Sequence, residues 1–70
     1  MSKYSLKEIW TTSVFTAMLY MVDAMYREGM EDEIPRACRE ATADKDLGTA
    51  IRVCEKYIDM ANRRAEDGRH

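Results

Sequence analysis

Seventy residues, with 11 Lys and Arg against 13 Asp and Glu, allow one domain with a small core. At this size burial barely offsets the entropy of ordering the chain, so such domains usually lean on a staple or a second subunit. Two cysteines do not make a disulfide scaffold, 46% hydrophobic residues argue against disorder, and a formal charge of −2 gives no general affinity for nucleic acid or anionic lipid.

The first helix is announced by Ser5 and Glu8, which have the S-x-x-E spacing of a capping box. Tyr4 and Ile9 fall at the positions of a hydrophobic staple around it. With no breaker before Gly29, a natural left-handed cap, the pattern predicts a long N-terminal helix over about 5–28, roughly 35 Å in length. Glu31, Asp32 and Glu33 put negative charge where a helix N-terminus favours it, and Pro35 is tolerated only in a first turn. Ile34, Ala37, Cys38 and Ala41 then share a face of mostly small side chains. These signals predict a short middle helix over about 32–42.

Asp44 or Asp46 can cap a C-terminal helix over about 45–64. There Leu47, Ile51, Cys54, Ile58 and Ala61 repeat as a seam of coiled-coil type, flanked by Ala50 and Tyr57. Residues 65–70 have little to bury and read as a frayed tail. The expected fold is therefore all-α: a small helical bundle, one domain over 1–70, completed by dimerisation.

The longest uncharged run, Ile9 to Val22, is 14 residues and is diluted by Thr11, Thr12, Ser13 and Thr16. A spanning helix needs about 20 apolar residues. Lys3 and Lys7 could form the basic region of a signal peptide, but the run starts late and Met-Leu-Tyr-Met-Val is a poor cleavage context. The sequence reads as cytoplasmic.

The first helix carries more apolar surface than an ordinary amphipathic helix. Its apolar residues cover an arc of about 220°, against a stripe of about 100° in a surface helix. The expected interface residues are Trp10, Val14, Phe15, Met18, Leu19, Met21, Val22, Met25 and Tyr26, the types enriched at interface cores. Helix packing within a 70-residue monomer does not cover such an arc, so the reading is self-association as a homodimer, binding of another protein, or both. The acidic residues Glu28, Glu31, Asp32 and Glu33 are candidates for docking on a basic surface, beside their local role at a helix start.

Chemistry is sparse by comparison. Cys38 and Cys54 sit on apolar faces and read as reduced core thiols, and the one histidine, His70, has no companions for a zinc site. Met18, Met21 and Met25 have the spacing of a thioether site for Cu(I), which is also the spacing of core residues. Acid–base and nucleophilic catalysis lack a usable histidine, and three isolated glycines make no phosphate cradle. No catalytic residue, cofactor or metal is expected.

A helix-turn-helix regulator is the main alternative, with Thr49, Arg52, Lys56 and Arg63 facing DNA from the last helix. Residues 27–46 hold seven acids against four bases, which opposes phosphate contact. A structural subunit without a heterologous partner is a second alternative. The function expected from size and lack of chemistry is an inhibitor, antagonist or adaptor of the kind encoded by bacteria and phages.

Overall fold

The computed structural model describes residues 3–5 and 13–68. Within them the chain is an all-α bundle: α1 (Val14–Arg27), a single 3-10 turn (Glu31–Glu33), α2 (Ile34–Thr42) and α3 (Leu47–Asp67). The third helix packs against both others, which touch each other less.

The helix α1 begins at Val14. Ser13 is extended, at φ −146° and ψ 151°, which excludes a continuous helix over 5–28. Its hydroxyl accepts from the Thr16 N–H at 3.3 Å, so Ser13 is the cap. Ser5 lies outside any helix, with its N–H donating to the Tyr20 hydroxyl at 3.0 Å. Glu8 and Ile9, the expected partners of Ser5 and Tyr4, lie outside the described residues.

The other end of α1 closes as the glycine predicts. Gly29 takes φ +76°, its N–H reaches the Tyr26 carbonyl at 3.2 Å, and the Met30 N–H reaches the Met25 carbonyl at 2.8 Å. This is the Schellman pattern, and the two methionines it brings together are both fully buried. Pro35 sits in the first turn of α2, where its missing N–H costs nothing. Asp46 is the aspartate that caps α3, accepting from the backbone and hydroxyl of Thr49, each at 3.0 Å.

The end of α3 differs from expectation. Ala65, Glu66 and Asp67 continue the helix, and the Gly68 N–H closes it on the Arg64 carbonyl at 2.9 Å. The buried face of α3 is also turned from the predicted seam. Ala50, Cys54, Tyr57, Ile58 and Ala61 are buried, whereas Ile51 is half-buried and Leu47 is exposed. The reason is that α3 serves two neighbours, so the residues that flanked the expected seam point into the cleft between them.

The core itself is lined by alanines. Ala17 and Ala24 of α1, Ala37 and Ala41 of α2, and Ala50 and Ala61 of α3 let the backbones approach, and Met21, Met25, Met30, Tyr57 and Cys54 fill the space between. Two of the three methionines weighed as a thioether site, Met21 and Met25, are thus core residues. Between α2 and α3, Glu40 accepts from Tyr57 Oη at 2.9 Å and Lys56 Nζ at 2.7 Å.

Candidate interaction face

The expected interface set divides in two. Met21 and Met25 are fully buried and are removed from any contact surface. Phe15, Leu19 and Tyr26 are outward, 79%, 65% and 65% exposed, and Val14, Met18 and Val22 are half-buried. Trp10 lies outside the described residues.

Phe15, Leu19, Val22 and Tyr26 follow one another at spacings of 4, 3 and 4. At 3.6 residues per turn they fall within an arc of about 60°. The buried Ala17, Met21, Ala24 and Met25 centre about 145° away, and Val22, at the edge of the row, also packs against the core. The apolar arc of α1 therefore has two working faces, one buried against α3 and one open. Along one edge of the open face Asp23 and Arg27 form an exposed ion pair at 2.9 Å. Along the other, Met18 leads back to the core.

The acidic candidates divide as well. Glu28 is no docking group: its side chain is only 12% exposed, and its carboxylate accepts from Tyr4 Oη at 2.6 Å and Lys3 Nζ at 3.1 Å. The hydrogen bond from Tyr4 is the main cause that holds this carboxyl below the usual range, and Lys3 adds to it. Glu33 pairs with Arg36 at 2.6 Å, one turn further along. Glu31 and Asp32 remain exposed.

What the sequence did not disclose is a clasp between the N-terminal segment and α3. Asn62 is buried, accepts from the Tyr4 N–H at 2.8 Å and donates back to the Tyr4 carbonyl at 2.9 Å. A polar Asn beside Ile58 and Ala61 on an otherwise apolar face was the available signal, because a buried amide must find partners. Among the described residues no buried side-chain polar atom lacks one.

Other chemistry stays scattered. Cys38 and Cys54 are free thiols; Cys54 is buried, and burial pushes its thiol up to about 11, away from the reactive thiolate. Among the described residues no three His, Cys, Asp or Glu side chains gather as metal ligands, and no helix is long and apolar enough to cross a membrane.

Of the four side chains assigned to a DNA-facing helix, Arg52 and Arg63 are exposed. Thr49 is tied to Asp46, and Lys56 is held by Glu40. The turn before them carries the exposed acids Asp44 and Asp46. Comparison with known proteins finds no matching family model, no similar curated protein and no similar solved structure.

Proposed function

We propose that this chain is a non-enzymatic protein-binding module, an inhibitor or adaptor of the small bacterial or phage type, acting through the outward face of α1. The observation that carries the reading is the row Phe15, Leu19, Val22 and Tyr26, three of whose members stand more than half exposed on one line of a helix. The largest contiguous apolar patch on a protein surface is often its interaction site. Phe15 and Tyr26 are the anchors, since aromatic side chains dominate binding hot spots. An apolar helix face occupies a groove of its target without any catalytic group, which suits blocking a dimerisation or ligand surface. The two free thiols fit the reducing cytoplasm.

The test is a photoactivatable phenylalanine analogue placed at Phe15 or Tyr26 in producing cells. Discrete adducts of defined mass are the expected outcome, lost when Leu19→Lys is added. Illumination that yields no discrete adduct from either position overturns the reading.

A further inference from the structure

We propose that the occupant of the outward α1 face is, in the isolated protein, a second copy of this chain, paired antiparallel about a two-fold axis that passes between Leu19 and Val22. The inference rests on the docking reading above and names the partner for the same face.

The spacing 4, 3, 4 is the same read in either direction. A two-fold axis at its centre therefore sets Phe15 against the second copy's Tyr26, and Leu19 against the second copy's Val22. Aromatic meets aromatic at both ends and aliphatic meets aliphatic in the middle, each contact occurring twice, as a self-complementary interface requires.

Charge and sterics agree with that direction. Antiparallel packing sets Thr16 near the second copy's Asp23, and the two Asp23 carboxylates stay well apart. Helix dipoles oppose one another in this arrangement, whereas parallel packing aligns them side by side. Phe15, Leu19 and Tyr26 are the members of the row that stand clear of the core, 79%, 65% and 65% exposed, and Val22 flanks them at the core edge.

Area sets the strength. With about 200 Å² for a whole aromatic side chain, the exposed parts of Phe15, Leu19 and Tyr26 amount to at most roughly 400 Å² per copy. Two copies then bury at most about 800 Å² through these residues, below the approximately 1,000 Å² at which stable specific interfaces begin. The pairing is accordingly weak and exchangeable, so a target with a deeper apolar groove displaces the second copy from the same residues.

The experiment has two arms. Light scattering of the full chain over about 1 μM to about 1 mM gives a concentration-dependent rise from monomer to dimer mass. Phe15→Lys weakens that association at least tenfold while circular dichroism shows the helices intact, because Phe15 is surface-exposed.

The second arm reads direction, in a Cys38→Ala background that leaves only the buried Cys54. An equal mixture of Phe15→Cys and Tyr26→Cys chains oxidises to a covalent dimer containing one of each, and neither chain does so alone. In that mixed dimer the other end keeps its Phe15–Tyr26 contact. Cross-linking of Phe15→Cys chains with each other overturns the antiparallel register, and a monomer at every concentration overturns self-pairing altogether. If the monomer still gives a photo-adduct with another protein, the docking reading survives and only this inference fails; no adduct of any mass removes both.

Discussion

The side-chain amide of Asn62 forms a two-way clasp with the backbone of Tyr4, at 2.8 Å and 2.9 Å, across 58 residues of sequence. An Asn amide offers donor and acceptor side by side, the same pair that a peptide unit offers, so it stands in for a neighbouring strand. Tyr4 follows its backbone in: the ring is buried, its hydroxyl meets Glu28, and the next residue's N–H meets Tyr20. The N-terminal segment thus straps α1 to α3.

Removing the clasp leaves two backbone groups of Tyr4 buried without partners. Asn62→Ala is expected to cost about 2 kcal/mol, since each such loss runs at roughly 1 kcal/mol or more. For a domain of this size that lowers Tm by about 10 °C. Asn62→Asp keeps the shape but replaces the donor by an acceptor facing the Tyr4 carbonyl, so it fares no better. Tryptic cleavage after Lys3, followed by mass spectrometry, reports release of the strap directly. Unchanged cleavage in both variants means the clasp contributes little.

The strap is also expected to loosen in acid. Glu28 titrates below its ordinary range when folded, through its hydrogen bonds from Tyr4 and Lys3, while the unfolded chain takes up the proton at the ordinary value. Its contribution is therefore complete above that value and is lost as pH falls through the lower folded one. Glu40, held down by Lys56 and Tyr57, has the same sign. Melting curves taken between about pH 6 and about pH 3 should show a smaller fall for Glu28→Gln than for the parent chain, once the variant's own offset is subtracted. Equal slopes count against Glu28 as the titrating group.

Among the described residues two backbone positions have positive φ, with opposite expectations. Gly29, at +76°, suits its role, and a Cβ there meets nothing closer than 3.9 Å, so Gly29→Ala suffers from the backbone alone, by about 1 kcal/mol. Lys45 takes φ 52° without being glycine or asparagine. Lys45→Gly should relieve about 0.5–1 kcal/mol of strain in the α2–α3 turn, net of the extra freedom gained by the unfolded chain. Chemical denaturation midpoints moving in opposite directions verify the pair.

The thiols give a simple readout of core integrity. Cys54 is buried and its thiol is pushed up to about 11, first by burial, whereas Cys38 is half-buried. A disulfide reagent at neutral pH should label Cys38 first and reach Cys54 only through unfolding. Asn62→Ala should speed the second phase, since it lowers the barrier to opening α3. Equal rates for the two thiols in the native protein contradict the buried placement.

Much of the architecture was legible because it is local. Gly29, Pro35 and Asp46 each act within one turn of the backbone, so their roles follow from spacing alone. What spacing did not reveal is the break at Ser13: its extended backbone ends any single helix over 5–28, and its own hydroxyl caps the turn that follows, while Glu8, the other half of the expected capping box, lies outside the described residues. Local pattern also overstated the interface. Met21 and Tyr26 are both apolar residues of the wide arc, yet one is wholly buried and the other 65% exposed.

By itself, then, the amino-acid sequence determined an all-α chain with more apolar surface on its first helix than a surface helix needs, since periodicity, caps and composition are properties of neighbouring residues. Only the tertiary structure decided how that surface is shared. Where α3 lies selects Ala17, Met21 and Ala24 for the core and leaves Phe15, Leu19 and Tyr26 to water, a choice between faces of one helix that depends on residues some thirty to forty positions away.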